Sequence, residues 1–243
     1  MPVGRRTERR MFTKESFVED NRTQFAAFWL FTRRDDWREL VHDDWHAAVE
    51  EFTGAIEQPG EGVSIRATYS LMGLRPDAEM MIWVHADRLD QITDYAVKLD
   101  QTTIGRAMKR ADGYIGVAGG SQYDKEHAPA FIKGLDAKRY LSVYPFIKTT
   151  GWYLLDFKER RKLMLEHGEL GREYPDLLTN TVNSFGLQDQ EFIVAIEGDD
   201  PLRLMRMVQD LRAAEVREYT KLDTPIYLGE AKSIADVLGD IKG

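Results

Sequence analysis

Ser70-Leu71-Met72-Gly73-Leu74 leads through Arg75-Pro76-Asp77 into Glu79-Met80-Met81-Ile82-Trp83-Val84, and Ser184-Phe185-Gly186-Leu187 leads through Gln188-Asp189-Gln190 into Glu191-Phe192-Ile193-Val194-Ala195-Ile196. Each stretch predicts a hairpin of strand, short polar turn and apolar strand. Each is followed by a helix. In the second copy Asp200 is placed to cap, Pro201 suits the first helical position, and Leu204, Val208 and Leu211 supply an apolar stripe. Working outward, a strand-like run at Phe25–Thr32 precedes Trp37, Val41, Trp45, Ala48 and Phe52 at helical spacing. The second half offers a strand at Tyr140–Lys148 and a helix over Phe157–Leu170, and each half closes with a short strand, near Tyr114–Val117 and Pro225–Gly229. The order β-α-β-β-α-β therefore occurs twice, which is the ferredoxin-like unit. The expected fold class is α+β, with two such units placing their sheets together as a barrel and their helices outside. A boundary near residue 135, after Gly119-Gly120-Ser121, gives repeats 24–135 and 136–243 behind a charged tail over 1–23.

Bulk properties narrow the function. A chain of 243 residues is long enough for a sizeable buried core. The net charge of −8 argues against duplex nucleic acid, which needs a basic footprint. Cysteine is absent, so disulfides, iron–sulfur clusters, thiolate metal sites and cysteine nucleophiles are excluded. The longest apolar run, Phe25 to Phe31, is seven residues and far short of a membrane span. Arg5-Arg6 and Arg9-Arg10 are followed by the polar stretch Met11 to Asp20 rather than an apolar segment, so a tail and a cytoplasmic protein are expected rather than export.

Histidines are the first candidates for chemistry. His42 and His46 stand at i, i+4, but Asp43 and Asp44 mark a solvated face and no glutamate follows the first histidine. His85 ends an apolar strand, where packing is the plain reading. His167 follows Leu163 by four and Met164 by three and precedes Leu170 by three, so it projects from an apolar stripe, and Gly168 beside it has no side chain. Spacing alone gives precedence to a packed histidine satisfied by one hydrogen bond, but neutral imidazole is also the commonest axial ligand of haem iron. On Leu141–Lys148 the period of two puts Ser142, Tyr144, Phe146 and Lys148 on one side. Pro145 cannot donate to a ladder, which predicts an edge, an end or a bulge there. A tyrosine covering a sheet and a lysine reaching solvent would explain this face without chemistry. His127 falls in the polar stretch Gln122 to Pro129 and, read alone, is a surface histidine.

Tyr144-Pro145-Phe146-Ile147-Lys148 followed by Trp152-Tyr153-Leu154-Leu155 resembles the signature of actinobacterial-type coproheme decarboxylases, in the chlorite dismutase-like superfamily. Glu159-Arg160-Arg161, Glu166-His167-Gly168, Tyr174-Pro175-Asp176, Asn180-Thr181-Val182 and Leu211-Arg212-Ala213 with Glu215 continue in the family's order, covering roughly residues 120 to 230. The resemblance implies a dimeric α+β barrel, assembled as a homopentamer. It implies iron coproporphyrin III (coproheme) as both cofactor and substrate, hydrogen peroxide as oxidant, haem b as product, and transient contact with coproporphyrin ferrochelatase. Carried over by residue, His167 becomes the axial iron ligand, Glu215 its orienting acceptor, Tyr144 the redox-active tyrosine and His127 the distal base. Lys148, where many relatives carry arginine, and Arg217 become propionate partners, and Trp152 a pocket wall. Chlorite dismutases carry an arginine about thirteen residues beyond the axial histidine. Here that place holds Asn180, between Thr179 and Thr181, which argues against chlorite as substrate. The alternatives are a haem peroxidase or chlorite dismutase-like enzyme of the same fold, and a haem carrier or sensor without turnover.

Overall fold

A computed structural model of the chain describes residues 23–41, 44–119 and 128–242. The first half runs β1 (Gln24–Arg33), α1 (Trp37–Val41), α2 (Trp45–Glu57), β2 (Val63–Ser70), β3 (Met80–Ala86), α3 (Leu89–Gln101), α4 (Thr103–Ala107) and β4 (Met108–Ala118). The second runs β5 (Tyr140–Lys148), α5 (Thr150–Leu154), α6 (Phe157–Arg172), β6 (Leu178–Asn183), β7 (Phe192–Gly198) and α7 (Pro201–Leu211). A 3-10 turn (Glu215–Tyr219), β8 (Thr220–Leu222), β9 (Tyr227–Lys232) and α8 (Ile234–Ile241) complete it.

The strands lie in the order β7-β6-β4-β1-β3-β2-β9-β5-β8, and β7 also pairs with β5, so eight strands close into a ring with β8 appended. All pairings are antiparallel. Each half has the ferredoxin-like order, β4-β1-β3-β2 and β6-β7-β5-β9, and the halves join through β4–β6 and β2–β9. Closure removes the free edges that an open sheet would expose. Alternation along each strand then divides the apolar side chains between barrel interior and outer face. Phe28, Tyr69, Trp83, Leu141 and Val143 fill the interior, while Trp29, Phe31, Ile82 and Val84 face the helices of the first half.

The structure corrects several local expectations. Leu71 to Leu74 and Ser184 to Leu187 are the hairpin turns themselves, not strands: β2 ends at Ser70 and β6 at Asn183. Both turns have one construction. Leu71 and Ser184 donate to the carbonyls of Glu79 and Glu191, at 2.8 Å each, and Leu74 and Leu187 bond back to Leu71 and Ser184. Gly73 (φ 77°) and Gly186 (φ 72°) occupy the left-handed region that a side chain would disfavour. The apolar spacing over 37–52 reads as one helix, but α1 ends at Val41 and α2 starts from Asp44, whose carboxylate caps Ala47 N–H. β4 is longer than the short closing strand expected, and it wraps alongside β1 with a bulge between Leu30 and Phe31.

The repeat extends to a clamp at the end of each first strand. Glu79 accepts the backbone N–H of Arg33, and Glu191 that of Lys148, both at 2.7 Å. The glutamate N–H groups bond back to Phe31 and Phe146. Trp29, Phe31 and Arg33 thus correspond to Tyr144, Phe146 and Lys148. Glu191 also accepts the Tyr153 hydroxyl at 2.5 Å. Glu191→Ala removes the carboxylate that accepts from that hydroxyl and from the Lys148 N–H, at a cost of about 2–3 kcal/mol. We expect the melting temperature to fall by roughly 5–10 °C. An unchanged thermal unfolding curve would show that the clamp contributes nothing.

Candidate functional site

The two halves differ most on their outer faces. In the first half a single apolar core joins β1 and β3 to α2, α3, α4 and α8, with Ile234, Val237, Leu238 and Ile241 of α8 closing it. In the second half the corresponding side chains fall into two separate clusters. One joins Tyr144, Phe146, Val194 and Ile196 of the sheet to Leu204 and Met207 of α7. The other joins Leu163 and Met164 of α6 to Trp152, Ala214 and Val216. The sheet and α6 therefore share no core, and the two clusters form separate walls. A Cβ built on Gly168 of α6 meets nothing within 4 Å, so the helix is open beside His167.

Tyr144 lies on β5 where that strand is least covered. β9 pairs with β5 only as far as Val143, and β8 begins at Ile147 with a register shift before Lys148. Pro145 sits in this interval, while β7 pairs with β5 without a break from Tyr140 to Phe146. β5 is thus neither an edge nor a strand end; the proline occupies the gap between two partners and a bulge follows it. The segment leaving the sheet carries Asp223, which pairs with Arg217 Nη1 at 2.6 Å and Arg212 Nη2 at 2.9 Å. These charges act on the Tyr144 phenol. Burial, aided by Asp223, pushes it up to about 12, against the pull of Arg212 and Arg217. Tyr144 therefore holds its proton throughout the neutral range.

Lys148 is buried, and its Nζ lies 4.5 Å from the Trp152 ring centroid and 5.0 Å from that of Phe146. Its counterpart Arg33 is tied to its own clamp, with Nη2 2.6 Å from Glu79 Oε1. Lys148 makes no such pair: among the described residues no carboxylate lies within ion-pair distance of its amine. Burial pushes the amine down to about 8, opposed by Glu191 and reinforced by Arg217. A desolvated ammonium over aromatic faces gains up to about 2 kcal/mol from them but keeps its capacity for an anion.

Of the expected site residues, the structure brings together Tyr144, Lys148, Trp152 and Arg217. His167 is half-buried on the α6 face that also presents Leu163 and Met164, as its spacing predicts. Glu215 begins the 3-10 turn with its carboxylate exposed, 3.9 Å from Lys162 Nζ, and its N–H directed at Glu166. His127, like His42, lies outside the described residues. Asn180 is fully buried and turned into the barrel, bonding Glu197 Oε1 at 2.9 Å and Phe131 N–H at 2.9 Å. Thr181 occupies the outer face in register with Val194 and Tyr144, so β6 presents a hydroxyl rather than a guanidinium there. His85 is packed, held to Gln24 at 2.7 Å and pushed down to about 4 by burial and Arg66. Among the described residues no cluster of three or more histidine, aspartate or glutamate side chains is arranged to hold a metal ion.

Arg212, Asp223 and Glu191 complete the site and were not assigned roles from sequence. Glu191 had a visible signal, a carboxylate repeated with Glu79 at the start of an apolar strand. Asp223 had none, because its partners depend on where β8 and β9 leave the sheet.

The chlorite dismutase family profile matches residues 45–232. The coproheme decarboxylase of Mycolicibacterium smegmatis is 34% identical over 204 residues, covering 84% of this chain and 88% of that protein. A chlorite dismutase from Candidatus Nitrospira defluvii, solved in complex with imidazole, superposes with a TM-score of 0.81 over 90% of this chain and 95% of that one, at 24% identity. A double mutant of the same enzyme gives 0.82 at 23% identity, over 95% of this chain and 100% of that one. At these identities the superpositions establish the barrel fold.

Proposed function

The chain belongs to the chlorite dismutase family, and we propose that within it this protein converts iron coproporphyrin III to haem b by oxidative decarboxylation of two propionates, with hydrogen peroxide as oxidant. The observation that carries this reading is a buried tyrosine and, on the same strand, a buried lysine with no carboxylate partner among the described residues, in the half whose sheet and helix walls do not share a core. The similarity to the Mycolicibacterium smegmatis coproheme decarboxylase supports the same substrate class. The reading carries with it a cytoplasmic homopentamer that meets coproporphyrin ferrochelatase.

An iron porphyrin fits the donor set. The imidazole of His167, with open space at Gly168, suits the iron; Lys148, Arg217 and Arg212 suit carboxylates; Trp152 supplies a flat wall. The iron porphyrin supplies the oxidising power when peroxide is present. The protein positions and protects the reacting groups. For each propionic acid group, R–CH2–CH2–COOH and H2O2 give R–CH=CH2, CO2 and two molecules of water. With the oxidising equivalent that the iron porphyrin would supply, Tyr144 would give up its phenolic hydrogen as an electron and a proton and then regain a hydrogen atom from the propionate β-carbon; its burial keeps water from competing. His127 moves a proton from one peroxide oxygen to the other, a step worth about 10²–10⁴-fold. Decomposition of chlorite is disfavoured, because Asn180 is committed to the barrel interior and Thr181 has no cationic group.

The reading is tested by loading the protein with iron coproporphyrin III, adding peroxide in small steps and identifying pigments by chromatography and mass spectrometry. A three-propionate intermediate followed by haem b is expected. Bleaching alone would indicate a general peroxidase, and unchanged pigment a carrier.

Lys148 makes a further expectation. Its amine is charged below about pH 8 and neutral above. Binding a carboxylate favours the charged form, so affinity for iron coproporphyrin should fall as pH rises through about 8. Lys148→Arg keeps its charge and should remove this step. Fluorescence titrations from pH 6.5 to 9.5 check it, and identical profiles for both proteins would remove Lys148 from the carboxylate site.

A further inference from the structure

Arg160 is 5% exposed, and its Nε is buried with no hydrogen-bond partner. Among the described residues no carboxylate, carbonyl or side-chain oxygen holds its guanidinium in a hydrogen bond or ion pair. The other strongly buried arginine, Arg66, lies 2.8 Å from Glu197. An isolated buried cation costs several kcal/mol unless an anion or hydrogen-bond acceptors reach it. Arginine cannot shed its proton to escape that cost. The fold therefore holds a charge with no counterpart among the described residues.

Its position says what that counterpart is. Arg160 precedes Leu163 by three, Met164 by four and His167 by seven, so all four share one face of α6. The rise of an α-helix puts Arg160 about 10 Å along the axis from His167. A ligand whose centre is met by the imidazole and whose acidic arms extend to either side would reach the guanidinium with a carboxylate. Lys148 and Arg217 serve the side of the site nearer β5 and the 3-10 turn, and nothing else described on α6 serves the helix side.

We infer that Arg160 is an anchor for a carboxylate of the ligand, a propionate of the iron porphyrin on the functional reading above, on which this inference rests. Its guanidinium engages the carboxylate through two parallel hydrogen bonds, a geometry lysine cannot supply. Arg160 takes no part in bond making; it fixes the porphyrin edge so that the ring is held in one rotation relative to Tyr144.

The test compares wild type, Arg160→Leu and Arg160→Lys in two measurements that need no turnover. In the first, tryptophan quenching gives the affinity for iron coproporphyrin III and for its tetramethyl ester in mild detergent. Arg160→Leu should bind the free acid about 10- to 100-fold more weakly, Arg160→Lys should fall between, and the ester should bind all three proteins alike. In the second, thermal unfolding without ligand should show Arg160→Leu as stable as wild type or a few degrees more stable, because an unpaired charge has been removed. Equal affinities for the free acid would overturn the anchor, as would an equal loss with the ester. A marked fall in apoprotein melting temperature would overturn it too, by showing a structural role. If wild type binds neither porphyrin, the functional reading itself fails and the anchor with it, an outcome distinct from wild type binding and Arg160→Leu binding equally.

Discussion

Tyr144→Phe should take up iron coproporphyrin as tightly as the unaltered protein and form haem b at least about 100-fold more slowly, a barrier increase of roughly 3 kcal/mol or more. The substitution deletes a single hydroxyl. The ring remains in its cluster with Ile196, Leu204 and Met207, so packing and the carboxylate partners are preserved. What is lost is the O–H group that burial keeps protonated, with a pKa pushed up to about 12. No neighbour on the strand replaces it: Ser142 and Phe146 flank it on the same face, and across the sheet Val194 and Thr181 continue the row. Equilibrium binding and pigment analysis on one sample separate the two effects. Substantial haem b from this variant would remove Tyr144 from the chemistry.

His167→Ala should weaken binding of iron coproporphyrin by at least about 100-fold, or roughly 3 kcal/mol, and should leave binding of metal-free coproporphyrin unchanged. The distinction follows from the division of labour in the site. On the proposed reading Lys148, Arg217 and Trp152 would meet arms and ring, which both porphyrins share, whereas an imidazole would contribute only where there is a metal to ligate. Added imidazole should restore iron porphyrin binding and its optical spectrum. The half-buried position of His167 predicts little change in apoprotein stability. Equal losses for the metal-free and iron forms would mean that His167 shapes the pocket rather than holding iron.

Short-range features were legible in the sequence. The period of two on Tyr140–Lys148 correctly separates Leu141 and Val143, which enter the barrel, from Tyr144 and Phe146, which face outward. The Asp200 cap and Pro201 mark the start of α7, and the Leu163 to Leu170 spacing puts His167 on the inner face of α6. The repeat predicts the barrel because two ferredoxin-like sheets can close only by pairing with each other. Features that depend on non-local contact were not legible. Ser70 to Leu74 has strand-forming residues, yet Gly73 with positive φ makes it a turn. The apolar stripe of α8 does not announce that it will cover the first half and leave the second open. Pro145 correctly signals an interrupted ladder but says nothing of which partners surround the interruption. Arg160 reads as one more charge on a polar helix until its burial is known.

The measurement that tests the central claim most directly is a stoichiometry. Protein loaded with one equivalent of iron coproporphyrin III is given measured peroxide in a sealed vessel, and carbon dioxide, remaining peroxide and pigments are determined together. The account predicts one molecule of carbon dioxide for each peroxide consumed, two of each per porphyrin, and haem b as the final pigment. Peroxide consumed without carbon dioxide, or carbon dioxide released without peroxide, would contradict it.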